Sequence, residues 1–304
     1  MAEERSRAVE WPTVGLIAAV YAVLMTIVWF HASLAWWVIL PIGAYFAALY
    51  TSLQHEVLHG HPTGSRMLNE AMVFATPALW LPYLRYKQTH LTHHNDHNLT
   101  DPRLDPESYY LLPEAWAEMT GIRRMLFAFN HTLAGRMAIG PAIGIARFWS
   151  GEFRDIARGD RVKLKAWAWF ALSAAVTVWY VVWAAGMPFW QYYLLIAYPG
   201  ISLALVRSFC EHQGAEKIAH RTIIVEASPF WSLLFLNNNL HVAHHDRPAL
   251  AWYKLPGFYK AERERLIAEN NGYLMKGYGE IFSRFFFTAK EPIAYPNMKW
   301  LKKS

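Results

Sequence analysis

The chain of 304 residues contains one cysteine, Cys210. That excludes an internal disulfide framework and any zinc or iron–sulfur site built on cysteine. A lone cysteine reads as a small buried apolar residue. Charge is scarce as well. Asp, Glu, Lys and Arg make up 17% of the chain, against about 25% in soluble domains, while 54% is hydrophobic and 16% aromatic. This composition points to a membrane protein. No basic stripe interleaved with aromatic residues lies outside apolar surroundings, so the net charge of +6 does not mark a nucleic-acid partner. The opening MAEERSRAVEW is mixed in charge, and the apolar run behind it lacks a small-residue cleavage site. It reads as a spanning segment rather than a cleavable signal peptide. Repeats, low-complexity tracts and linkers are missing too, so residues 1–304 are expected to form a single domain.

What is present is apolar length. Residues 13–30, 33–52, 166–186 and 189–208 each run long enough to cross a bilayer core of about 30 Å at about 1.5 Å per residue. They fall into two pairs joined by very short turns, which predicts two helical hairpins. Trp29, Trp36, Trp37, Trp183 and Trp190 sit near those turns, where an interfacial aromatic belt places them. Two weaker apolar stretches, 71–84 and 125–149, are broken by proline, glycine or polar residues and read as interfacial or partly buried helices. Arg154, Arg158, Arg161, Lys163 and Lys165 precede the third span, the segment from Lys254 is also basic, and the hairpin turns carry no Lys or Arg. The positive-inside rule then puts both termini and the basic segments in the cytoplasm of an inner or plasma membrane. The expected fold is all-α: an integral membrane protein with four transmembrane helices in two hairpins, interfacial helices and a cytoplasmic histidine-rich cap.

Histidine is the other thing in surplus. QHEVLHGHP carries His55 and His59 at i, i+4; THLTHHNDH carries His90, His93 and His94; NNNLHVAHHD carries His241, His244 and His245; and His212 follows the last span. The spacing i, i+3, i+4 is expected to aim three rings from one helix face at one point. One histidine on a helix is more often a satisfied polar residue than a ligand, but two HxxHH triplets with an HxxxH in one chain point to metal. Nine imidazoles exceed the needs of one ion, so two ions are expected. Imidazole suits zinc, copper, iron and nickel alike. Glu56, Asp96, Glu211 and Asp246 are placed to accept from imidazole N–H groups; Asp101 and Asp105 read equally as turn formers beside proline. His61 and His97 stay open as further ligands, and His31, His131 and His220 read as ordinary.

HxxxH, HxxHH and HxxHH set between two pairs of apolar spans resemble the three histidine boxes of the membrane fatty acid desaturase superfamily, over roughly residues 33–250. The resemblance implies a non-haem di-iron centre that activates O2 and removes hydrogen from an unactivated C–H bond. Carried over, the ligands of the two Fe ions are His55, His59, His90, His93, His94, His212, His241, His244 and His245. Asn238 or Ser208 would act through a water. The first box is short and followed by His61. A double bond in a fatty acyl chain, on a lipid, CoA or acyl carrier, is the first expectation. A hydroxylase or ketolase of a carotenoid or alkane is the alternative. A metal-transporting membrane protein fits less well, because the clusters lie outside the spans. Arg85, Lys87 and Arg207 are candidates for an anionic head group. Electrons are expected from a separate ferredoxin, rubredoxin or cytochrome-type protein, with the basic stretch 151–165 as docking surface or simply as topology-setting charge.

Overall fold

The computed structural model describes residues 8–94 and 96–295. Its first hairpin is α1 (Trp11–Trp29) and α2 (Trp36–Leu58). Past it come α3 (Arg66–Met72), α4 (Tyr83–His93), α5 (Pro113–Glu118), α6 (Gly121–Asn130), α7 (Leu133–Ala138) and α8 (Gly140–Ala157). The second hairpin is α9 (Arg161–Val178), running on as a π-helical stretch to Ala184, then α10 (Phe189–Tyr192), a π-helical Tyr193–Ala197, and α11 (Tyr198–Glu211). Four continuous helices of 19, 23, 24 and 23 residues are thus long and apolar enough to cross a membrane. Short helices α12 (Pro229–Leu234) and α13 (His241–Asp246) precede α14 (Leu255–Glu269) and α15 (Tyr278–Phe285). Strands β1 (Ile224–Val225) and β2 (Leu274–Met275) form one parallel pair. Each span outgrows its expected bounds at the end away from the turn. In α2 the added turns carry His55, so helical hydrogen bonding continues there after the apolar run stops.

Helix α2 is the axis of the bundle, packed against α1 on one side and α11 on the other. Small residues allow this. A Cβ on Gly200 would lie 2.6 Å from Ala47 Cβ, and one on Gly43 would lie 2.6 Å from Ile196 Cγ1. Without a hydrophobic drive between helices in lipid, such close backbone approach is a main source of association. The Trp residues at the turns, including Trp29, Trp36, Trp37, Trp183 and Trp190, are exposed, as a belt requires.

The expected helix over 71–84 does not form. After α3 the chain runs without helix from Val73 to Pro82, with Pro77 and Pro82 removing donors. Its carbonyls are instead met by side chains. Tyr21 donates to Met72 O at 3.0 Å, Ser173 to Phe74 O at 2.5 Å, Tyr50 to Ala75 O at 2.6 Å, Tyr192 to Pro77 O at 2.7 Å and Trp149 Nε1 to Trp80 O at 2.7 Å. Three of the four spans donate into the stretch itself, and the first, through Tyr21, to the last residue of α3, so irregular backbone is tolerated because it is buried in protein. The 125–149 stretch does form helices, in α6, α7 and α8. On α6, Ile122, Met125, Leu126 and Phe129 present an exposed apolar stripe, the form of an interfacial helix.

The ends of the spans opposite the turns share one side. Glu10 N–H donates to Pro62 O at 3.0 Å, joining the start of α1 to the end of α2. Lys163 near the start of α9 lies 3.2 Å from Glu152 of α8, which also holds Arg85 of α4. We expect Gly200→Val to lower stability by about 1–3 kcal/mol through overpacking against Ala47. Gly15→Ala on α1, where a Cβ meets nothing within 4 Å, should leave thermal unfolding in detergent nearly unchanged. Equal melting of the two variants would rule out the α2–α11 contact as a determinant.

Candidate metal centre

The ends of α2 and α4, the short helix α13 and the residue just past α11 bring the nine histidines to the side opposite the hairpin turns. His55 lies in the last turn of α2 and His59 caps it. His90 and His93 end α4, with His94 as its cap. His241, His244 and His245 lie on α13. His212 sits one residue beyond α11 in extended backbone, bridged to Thr222.

They form two adjoining nests rather than one focus. Donor nitrogens of His55, His59, His90, His94 and His244 lie within 4.8 Å of one another, and so do those of His93, His212, His241 and His245. Each HxxHH triplet is therefore split, contrary to the single aim read from its spacing. Neighbouring helical residues point about 100° apart, whereas i and i+4 differ by only about 40°. His90 and His94 accordingly serve one nest and His93 the other; His241 and His245 share a nest while His244 crosses over. The rings of His94 and His245 stack across the boundary at 4.5 Å.

Outer contacts set which nitrogen faces inward. His93 Nδ1–H donates to Asp105 Oδ1 at 2.9 Å, His90 Nδ1–H to Glu107 Oε1 at 3.0 Å, and His241 Nδ1–H to Asn238 Oδ1 at 2.9 Å. Their Nε2 lone pairs then face the nests. His93 and His241 Nε2 lie 3.0 and 3.1 Å from His212 Nε2, and His94 Nε2 lies 3.0 Å from His90 and 3.1 Å from His244. Nitrogens bound to a common ion at about 2.1 Å stand about 3 Å apart when their bonds meet at right angles. Among the described residues, the buried Nε2 atoms of His55 and His59 have no hydrogen-bond partner. Orphaned buried acceptors, converging lone pairs and this spacing fit two metal ions, one per nest.

The electrostatics fit as well. Burial, then neighbouring imidazoles, pushes His59, His94, His212, His241 and His244 well below the usual histidine range, keeping them neutral as metal binding requires. His93 differs. Burial opposes its charging, but Glu107 and Asp105 outweigh it and hold the imidazole up at about 9. The same carboxylate field favours any cation in that nest.

A model of the fatty acid desaturase family matches residues 28–277. The chain belongs to that family. No curated protein matches it. Family membership makes it an oxidoreductase of a membrane-associated, lipid-acting group that typically uses iron.

In this desaturase-family chain a cavity of about 540 Å³ reaches the second nest. His93, His212, Glu107 and Glu211 line one end; Tyr50, Thr51, Ile201, Ala204 and Leu205 line an apolar flank between α2 and α11. The proposed head-group cations are otherwise engaged. Arg85 makes a buried two-pronged pair with Glu152 at 2.7 and 3.0 Å, Lys87 binds Glu70 at 2.9 Å, and Arg207 is paired with Glu211. Arg207 meets its partner one turn on along α11, whereas Arg85 and Lys87 on α4 meet carboxylates of α8 and α3.

Among the expected acceptors, Asp105 is one, while Asp101 caps the backbone N–H groups of Arg103 and Leu104 as a turn former. Glu211 lies 3.5 Å from His241 Nδ1. Glu56 turns away: it accepts from Trp252 N–H at 3.0 Å and faces His61 at 3.8 Å. Asp246 pairs with Arg265 at the surface, and the side chain of Asp96 lies outside the described part. Asn238 contacts His241 directly, and Ser208 lines the cavity. His61 joins Glu10 and Glu56 apart from both nests, and His97 is exposed.

Sequence reasoning missed Glu107 and a C-terminal strap. Lys290 donates to the His212 carbonyl at 2.5 Å and pairs with Glu291, which accepts from Tyr109 at 2.7 Å. Tyr109 O–H also reaches the His212 carbonyl at 3.0 Å. The strap lies beyond the family match, and no spacing signal marks it. Asp105→Ala strands His93 Nδ1–H, and metal affinity should fall about 10–100-fold, read by equilibrium dialysis and elemental analysis. An affinity equal to wild type would show that the Asp105 contact does not orient the ring.

Proposed function

We propose that this chain is an O2-dependent di-iron desaturase that introduces a double bond into a fatty acyl chain carried on a lipid, CoA or an acyl carrier. The observation that carries the reading is the pair of buried imidazole nests, one of them opening on a cavity with an apolar flank toward the spans. His55, His59, His90, His94 and His244 would hold one Fe ion, and His93, His212, His241 and His245 the other. Bound with O2, such a pair supplies an oxidant able to take hydrogen from a saturated carbon, which side chains alone cannot provide.

The protein's own part is orientation and exclusion of water. Asp105, Glu107 and Asn238 lock three rings with Nε2 inward. Tyr109 and Lys290 hold the His212 backbone, and Ile201, Ala204 and Leu205 offer an apolar wall along which an acyl chain can lie. Buried Cys210 builds no iron–sulfur site within these residues, and the proposed electron source is a separate ferredoxin, rubredoxin or cytochrome-type donor. Exposed Arg154, Arg158, Arg161 and Lys165 on the nest side suit an acidic docking partner. The same charges support a cytoplasmic metal site with both termini on that side, in an inner or plasma membrane.

Lipid analysis of a host expressing the wild type should reveal a new double bond, absent with His93→Ala. An oxygenated carotenoid or alkane, with unchanged acyl chains, would replace this reading by hydroxylation or ketolation. Purified protein should carry two iron ions, and His93→Ala or His244→Ala should each lower the content toward one, because each removes a donor from a different nest. Wild-type protein without iron would refute the proposal. A reporter fused to the C-terminus should be active only on the cytoplasmic side; activity on the opposite side would overturn the orientation.

A further inference from the structure

Where α6, α7 and α8 meet, two buried polar groups of opposite hydrogen-bonding character lack partners. Arg136 on α7 is 6% exposed and Asn130 at the end of α6 is 9% exposed. Arg136 Nε donates to the Asn130 carbonyl at 3.2 Å, but among the described residues its Nη2 has no partner, and neither has Asn130 Oδ1. Among the described residues Arg136 forms no ion pair. The guanidinium lies over the Tyr109 ring at 4.7 Å. Glu291, the carboxylate whose charge reaches it, is taken up by Lys290, Tyr109, Tyr110 and Gly214 N–H. A guanidinium stays protonated at any working pH, so a buried one without an anion is costly.

Both side chains line the cavity that ends at His93 and His212. The missing side chain at Gly140 leaves them room: a Cβ there would stand 3.0 Å from Arg136 Cδ and 3.1 Å from Asn130 Oδ1. The Asn130 amide can offer an oxygen or, turned over, two N–H donors. A guanidinium edge beside an amide inside an otherwise largely apolar cavity is a cradle for one oxygen-bearing group. Tyr109 bridges the cradle to the second nest, since its ring covers Arg136 and its hydroxyl holds His212.

We propose that Arg136 and Asn130 anchor the acyl oxygen of the substrate, a carboxylate or an ester or thioester carbonyl, within this cavity. The assignment rests on the acyl-substrate reading above. It gives that reading a fixed point from which carbons are counted to the metal, so the site of attack is measured from the oxygen end of the chain.

The test is equilibrium binding to the full-length, iron-loaded protein in detergent under anaerobic conditions, where no turnover occurs. Probes are palmitate, palmitoyl-CoA and hexadecane; variants are Arg136→Gln and Asn130→Asp. Asn130→Asp puts a carboxylate beside Arg136 and occupies it internally, so it should melt no lower than wild type. Both variants should weaken binding of an acyl probe about 10–100-fold, the scale of a charge-assisted pair, and leave hexadecane unchanged. Loss confined to palmitate identifies a free carboxylate; loss confined to palmitoyl-CoA identifies the thioester carbonyl. If Arg136→Gln fails to fold, Asn130→Asp decides. Acyl probes that bind wild type and Asn130→Asp equally overturn the anchor alone. A wild type that binds neither acyl probe overturns the acyl-substrate reading with it.

Discussion

Imidazole Nε2 atoms facing one another at 3.0–3.1 Å are the constraint around which this structure is organised. Outer hydrogen bonds from Nδ1 turn the Nε2 atoms of His90, His93 and His241 inward. In water such nitrogens would turn away to be solvated. Here burial, packing between helices and carboxylates behind the rings hold them together, which is unfavourable unless a cation lies among them. The five-and-four partition follows from that demand, and so does the depressed basicity of the surrounding rings.

Holding rings from distant parts of the chain at that separation requires a stiff frame. Helix α2 supplies it. Glycines and alanines let α11 and the preceding π-helical turn approach it closely, so His55 and His212 arrive at one level. The irregular stretch 73–82 takes hydrogen bonds from three of the spans and from α8, and thereby ties α4, with His90 and His93, to the bundle. Arg85 and Glu152 fasten α4 to α8 in turn. The buried polar contacts of this protein thus serve the two histidine nests as much as they serve the fold. That is why the cations suited by type to a head group are already paired, and why the unpaired Arg136 stands out.

The C-terminal strap adds a second level of positioning. Lys290 and Tyr109 both donate to the carbonyl of His212, the histidine that belongs to none of the three boxes and sits in extended backbone. A ring on a helix has its direction set by its neighbours along the helix. A ring just past a helix end does not, and long-range contacts replace that control.

Sequence alone determined the spans, the pairing into hairpins and the set of histidines, because bilayer thickness and helical spacing act over a few residues and leave periodic marks. Apolar length also marked the amphipathic α6. Tertiary structure decided how the triplets divide, since 100° between adjacent residues lets one helix face two nests only when two nests exist. It likewise decided that 73–82 abandons helix, that Asp105 turns to a histidine while Glu56 turns to Trp252, and that Glu107, Lys290 and Arg136 matter at all. These outcomes depend on which hydrogen-bonding groups and charges meet across tens to hundreds of residues once water is excluded, and no local pattern records such meetings.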